Sequence, residues 1–199
     1  MVAYATIIEL AQQMNWPETD RSRDTAMQLC LDAASAVLDR ICRRPDGFLA
    51  QAATARTFLG TDDDYLFIDE CAAVTAVETR TASSGAWTTV TGWFPFAGDP
   101  KTPVARGPFT GVIRESGVFM AYRFMSVQVT ARWGYAVTVP DQVKQATIMQ
   151  AARWFKRGES AWADATSSAE QGQLLYRKAM DPDIENIVKN GRLMRPAAG

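Results

Sequence analysis

The sequence predicts an α+β fold: a helical bundle built from both ends of the chain, a central antiparallel β-rich insertion, and an extended C-terminal tail. Three observations carry this. Apolar residues recur at helical spacing near both ends. Between about residues 51 and 138 the composition shifts to β-formers, Gly and Pro. One corner joins the two regimes. In 125–133, Met125, Val127, Val129, Ala131 and Trp133 alternate with polar residues, a strand with one buried face. Gly134 and Pro140 then punctuate, and a helical run follows over 141–157.

In chain order, 4–14 reads as a short amphipathic helix, with Ile7, Ile8, Leu10, Ala11 and Met14 on its apolar side. Trp16-Pro17 stops it, and Thr19 and Asp20 are candidate N-caps for the next helix. That helix, about 21–44, carries a stripe of Ala26, Met27, Cys30, Leu31, Ala34, Val37, Leu38 and Ile41, which needs other helices to cover it. Strands are expected at 55–59, 65–68, 74–81, 86–90 and 109–114, with a hairpin at Ser83-Ser84-Gly85. Residues 98–107 read as an irregular loop. The helix at 141–157 ends in Arg153, Lys156, Arg157 and Gly158. Further helix is expected at 169–180 and 183–190, and 191–199 is a tail. The organisation is one domain with an insertion: 1–50 and 139–190 build the bundle, 51–138 the insertion, 191–199 the tail.

Composition narrows the function. Hydrophobic content of 47% and charged content of 22% suit an ordinary packed core. A net charge of −1 supplies no overall attraction for nucleic acid. There is no histidine, so the commonest general base and metal ligand is missing. Cys30, Cys42 and Cys71 are no disulfide framework. Cys30 and Cys42 would lie roughly 18 Å apart along one helix, too far to bridge. The simple reading is buried thiols in a reducing cytosol. The first residues lack a signal peptide's basic start and apolar run, and no stretch has the length and apolarity of a membrane span.

No catalytic constellation emerges, and catalytic, cofactor and metal sites are all expected to be absent. Asp62, Asp63, Asp64, Asp69 and Glu70 are dense but lack a calcium-loop spacing, so a solvated turn explains them better. Ser35 and Thr147 have no histidine to activate them, and the acids before Cys71 would raise its pKa. Trp87, Trp93, Phe94, Phe96, Phe119, Tyr122 and Phe124 are core material by default, yet numerous enough for some to face a partner. Arg153, Lys156 and Arg157 form one basic cluster; Lys189, Arg192 and Arg195 form another. The clusters suit helix capping, phosphate contact or an acidic partner.

The N-terminal YATIIELAQQM, the long helix ending Ile41-Cys42-Arg43-Arg44, and the corner WGY…VPDQVKQATIMQAARWFKR resemble the head-to-tail adaptor (connector) proteins of tailed bacteriophages. The motifs are short and lie in the helical ends. The resemblance implies a structural, non-enzymatic protein of the virion neck, made in the host cytoplasm. It implies a homo-oligomeric ring, dodecameric as a rule, docked on the portal protein. Such a ring extends the DNA channel without sequence-specific binding and meets a stopper or tail-completion protein. In that setting the tail residues Lys189, Arg192, Leu193, Met194 and Arg195 are expected to contact the portal or a neighbouring subunit, ordering only on docking. A projecting loop bearing Trp93, Phe94, Phe96, Lys101 and Arg106 is expected to meet a neighbour or the next neck protein. The alternative is a nucleic-acid-binding regulatory protein that uses the basic clusters.

Overall fold

The computed structural model describes residues 2–17, 19–159, 165–167, 174–176, 182–191 and 193–195. In chain order the elements are α1 (Ile7–Met14), α2 (Asp24–Ile41), β1 (Thr54–Phe58), β2 (Tyr65–Thr79), β3 (Thr88–Thr89), β4 (Trp93–Phe96), β5 (Phe109–Arg114), β6 (Val127–Trp133), α3 (Asp141–Glu159), β7 (Ala165–Ser167), β8 (Leu174–Tyr176) and α4 (Pro182–Asn190). They fall into two compact units, Met1–Arg44 with Val139–Gly199, and Pro45–Thr138. The fold is α+β, as the sequence predicts: helices from both ends, and an antiparallel sheet between them in the chain.

In the helical unit, α1 starts on a reciprocal cap. Glu9 N–H donates to Thr6 Oγ1 at 3.2 Å, and Thr6 N–H donates to Glu9 Oε2 at 2.8 Å. Asn15, at φ 54°, ends the helix in the left-handed region. Leu10, Ala11, Met27, Leu31, Ala34, Ile148, Ala151 and Phe155 form the shared core of α1, α2 and α3. Trp16 closes it edge-on against Phe155, with ring centroids 5.8 Å apart. Tyr4 ties the N-terminal segment to α2: its N–H donates to Ser35 Oγ at 3.1 Å and its hydroxyl to Asp39 Oδ1 at 2.5 Å.

Lys144 Nζ donates to Glu9 Oε1 at 2.8 Å, linking α3 to α1. That bond is the largest of the causes holding the Glu9 carboxyl below its ordinary value of 4.5. A lowered acid stabilises fully above its ordinary value, and the contribution fades as pH falls through the folded value. Lys144→Gln is therefore expected to lower the thermal midpoint slightly at neutral pH and to lose that effect in acid. A midpoint difference that stays constant from neutral pH into acid would show that the pair contributes nothing.

Several helical expectations shift. α2 starts at Asp24 with no side-chain cap; Asp20 instead accepts a bond from Ser22 N–H. Of its stripe, Met27, Leu31, Ala34 and Leu38 are buried, Val37 and Ile41 are half-buried, and Ala26 is exposed. On α3 the buried face is Val143, Ala146, Thr147, Ile148, Gln150, Ala151 and Phe155, leaving Met149 at its edge. The helix expected at 169–180 is overturned at Leu174–Tyr176, which is strand β8 paired with β7; its other residues lie outside the described ones. Leu174, Leu175 and Tyr176 suit a strand as well as a helix, since short apolar runs carry no decisive period.

The second unit is a six-stranded antiparallel sheet in the order β1-β6-β2-β5-β4, with β3 also on β2. The four apolar residues of β6 are 0–4% exposed and its three polar residues only half-buried. β2 is one strand where two were expected. Its first half pairs with β5 (Tyr65 opposite Ile113) and its second with β6 (Cys71 opposite Trp133, Thr79 opposite Val127). Asp69-Glu70 does not break it. Register shifts between Cys71 and Ala73 and between Val74 and Ala76 bend it instead. Leu66, Ile68, Cys71, Val77, Val112, Phe119, Val127, Val129 and Trp133 make the core.

A close approach sets the far edge of the sheet. Gly111 faces Phe96 across β5 and β4, and a Cβ there would meet the Phe96 ring at 2.3 Å. Gly111→Ala is expected to expel that fully buried ring and cost about 2–4 kcal/mol, read as a loss in the denaturant midpoint. A midpoint within error of the parent would refute this packing.

Candidate interaction surfaces

The described side chains assemble no catalytic constellation on which to build a reaction. Among the described residues no group of three or more His, Cys, Asp or Glu could hold a metal ion, and no helix is long and apolar enough to cross a membrane. Burial pushes the Cys42 thiol up to about 11 and the Cys71 thiol up to about 12, so both are protonated and inert at neutral pH. The acidic stretch is put to structural use. Arg56 donates to Asp46 and to Asp69, each at 2.9 Å through Nη1, while its guanidinium lies 4.4 Å above the Trp133 ring. Those hydrogen bonds, Asp46 first, raise the Arg56 pKa above its already high value.

The structure separates the expected loop residues. Trp93, Phe94 and Phe96 stand on β4, not in a loop. Phe96 is fully buried against Gly111 and is corrected from a contact residue to a core residue. Trp93 packs against the sheet core, and Phe94 is 38% exposed. What protrudes is shorter. Ala97 and Val104 pair with each other, at 2.9 and 3.2 Å, and hold the tip 98–103 between them. Lys101, on that tip, and Arg106 are exposed. Two prolines and Gly98, at φ +83°, explain why the tip has no ladder of its own.

The tail also differs from its expectation. Residues 193–195 are ordered against their own helical unit. Leu193 is 3% exposed, its N–H donates to Val188 O, and Arg44 Nε donates to its carbonyl at 2.9 Å. Arg195 N–H donates to Cys42 O at 2.9 Å. Leu193 is therefore an inward anchor, because a lone leucine beside the end of α4 finds an apolar site at hand. Met194 is 42% exposed and Lys189 stands exposed on the last turn of α4. Arg192 lies outside the described residues.

A surface the sequence reading missed lies between α2 and α3. Ala26, Leu29, Cys30 and Ala33 on one side, with Trp154 and Phe155 on the other, line an open apolar groove of about 600 Å³. Leu29 is 65% exposed. The signal was present: Leu29 is a large apolar residue off the buried stripe of α2. A single exposed leucine needs no explanation, but a leucine on the wall of an apolar groove is a candidate contact surface. Arg153 and Arg157, read as a basic cluster, are each engaged by other groups of the protein.

No protein-family model matches the chain, and no curated protein matches it in sequence. Solved structures do match in fold. A chain in the structure described as "Neck of empty GTA particle computed with C6 symmetry" superposes with a TM-score of 0.59 at 16% identity, over 96% of this chain and 91% of that one. A chain in "Neck of native GTA particle computed with C12 symmetry" gives 0.55 at 14% identity, over 97% and 91%. At such identities the likeness is one of fold, and it runs nearly end to end. The chain thus carries the fold of a particle-neck chain.

Proposed function

We propose that this protein is a structural head-to-tail adaptor in the neck of a phage-like particle. The single observation that carries this is the match of fold, over almost the whole of both chains, with chains from the necks of GTA (gene transfer agent) particles. In this reading, copies of the chain form a closed ring beneath the portal, and the ring extends the channel for DNA and receives the stopper or tail-completion protein. The sixfold and twelvefold symmetry of those necks supports a ring built from repeated copies. A net charge of −1 suits a passage that DNA must traverse without being held. The apolar groove of α2 and α3 is the surface for a second copy of this chain. The exposed residues Lys189 and Met194, with the half-buried Arg195, are proposed to meet the portal or a neighbour, and Lys101 and Arg106 the next neck protein. The protein performs no catalysis. The test is reconstruction of a neck containing it: density for this chain repeated around the axis is expected, and isolated copies away from the axis would refute it.

The nucleic-acid regulator is disfavoured because Arg153 and Arg157 are already engaged. Weak binding to duplex DNA is expected, with a shallow dependence on salt.

The tip yields a separate expectation. Replacing residues 98–103 by Asn-Gly keeps Ala97 opposite Val104 across a two-residue turn, so the sheet should fold with an unchanged midpoint. Particles carrying that variant are expected to fill but fail to join tails. Normal tail joining would make the tip a tolerated insertion.

A further inference from the structure

The sheet of the second unit has two edges, β1 and β4, and they are built differently. β4 carries Pro95 in its middle, a residue without a backbone donor that sheets tolerate at an unpaired edge. β1 has no such guard. Its residues, Thr54-Ala55-Arg56-Thr57-Phe58, pair with β6 in unbroken register, from Thr54 opposite Ala131 to Phe58 opposite Val127. No proline or bulge interrupts it, and Thr and Phe are good strand formers. In an antiparallel pair, alternate residues turn their N–H and C=O away from the partner strand. Among the described residues the backbone of Ala55–Phe58 hydrogen-bonds only to β6. The one further hydrogen bond to the β1 backbone is at its start, where Trp133 Nε1 donates to Thr54 O at 2.9 Å. Ala55 and Thr57 are exposed. Natural sheets blunt an edge with a proline, a bulge or a charged side chain. The single charged residue of β1, Arg56, is drawn aside: its Nη1 donates to Asp46 and Asp69, each at 2.9 Å, and its guanidinium lies 4.4 Å from the centre of the Trp133 ring. Such an open edge is a template for one more strand.

The edge itself selects the occupant. A row of unpaired backbone donors and acceptors recognises another extended backbone. This chain's own projecting parts make poor strands, because the tip 98–103 holds Pro100 and Pro103 and the other sheet edge holds Pro95. Two copies of β1 paired about their middle would set Arg56 against Arg56, a like-charge pair. That leaves a strand from a different protein. Charge refines its character. Arg56 with Asp46 and Asp69 brings one positive and two negative side chains to β1, a net negative site. An incoming Lys or Arg complements it, and an Asp or Glu does not.

We infer that the outer edge of β1 takes up one extended, cation-bearing strand of another protein as an added strand of the sheet. This holds whether or not the chain is a neck component. The test uses the full-length protein, its backbone amide ¹H–¹⁵N signals and their hydrogen exchange. The probe is a cyclic β-hairpin peptide whose outer strand reads Thr-Val-Lys-Val-Thr, preorganised so that little ordering is left to the encounter. Two control peptides carry Asp or Pro in place of that Lys. In the free protein, alternate amides of Ala55–Phe58 are expected to exchange as fast as those of a loop. The lysine peptide is expected to shift and protect them saturably. The aspartate peptide should bind about threefold more weakly, and the proline peptide about tenfold more weakly or worse. Slow exchange of every β1 amide in dilute free protein overturns the open edge. No saturable shift on β1 with the lysine peptide, or equal binding of the proline peptide, overturns strand addition. Protection that grows with protein concentration alone, with a dimer by mass, gives the edge to a second copy and overturns the foreign strand. Equal or tighter binding of the aspartate peptide overturns the preference for a cation.

Discussion

Leu31→Asp leaves the helical unit unfolded at room temperature. Leu31 is fully buried, in one cluster with Leu10, Met27, Ala34, Ile148, Ala151 and Phe155. Removing its side chain costs about 2–5 kcal/mol in lost transfer energy and cavity. The aspartate adds an unpaired charge inside that apolar cluster, which costs several kcal/mol more or forces the carboxyl to stay protonated. A domain's whole stability is about 5–15 kcal/mol, so the sum consumes most or all of it. Leu31→Met is the control: it keeps volume and polarity and should cost less than about 1.5 kcal/mol. Circular dichroism against urea measures both. A cooperative Leu31→Asp transition near the parent midpoint would mean that α2 presents a different face to its neighbours. Val37→Asp and Met149→Asp, at half-buried positions, should be distinctly milder.

That contrast shows what the sequence made legible. Its period places a helix at about 21–44, observed at Asp24–Ile41, and orients it, because apolar residues three and four apart must share a side. It does not rank residues within the stripe, since their depth depends on where α1 and α3 cross. β6 was readable residue by residue, because a sheet with one buried face writes its burial directly as alternation. β2 was not. Its bulges shift the alternation by one residue around Cys71, and a broken period looks like a broken strand. Phe96 went to the wrong class because its burial depends on Gly111, fifteen positions later and on another strand. Leu193 likewise depends on Arg44, which the chain places far away. The adaptor resemblance rested on the helical ends, and the fold match then extended over 96% of the chain.

Leu29→Glu should have the opposite profile to Leu31→Asp: a normal fold and no assembly. Leu29 is two positions away on the same helix, yet 65% exposed on the wall of the apolar groove. Glutamate is about as good a helix former as leucine, so the change should cost the monomer less than about 0.5 kcal/mol. In a ring the same substitution enters every subunit contact. A carboxylate pressed against Trp154 and Phe155 of a groove closed by a second copy loses its water and gains no partner. Truncating a well-buried interface residue costs about 2 kcal/mol or more, and a trapped charge costs more still. Because every contact in a closed ring is affected, the ring population should collapse, not merely decline. The variant is therefore expected to show the parent's thermal midpoint but to be excluded from particle necks when it competes with unmodified protein. Cys30 supplies an independent readout from the same wall. Burial raises its pKa, so its alkylation is expected to be slower than that of an ordinary exposed thiol in the free chain, and slower still in assembled necks. Incorporation of Leu29→Glu at parental levels, with Cys30 alkylated equally in free and assembled protein, would mean that the groove stays open in the assembly and that copies of the chain meet elsewhere.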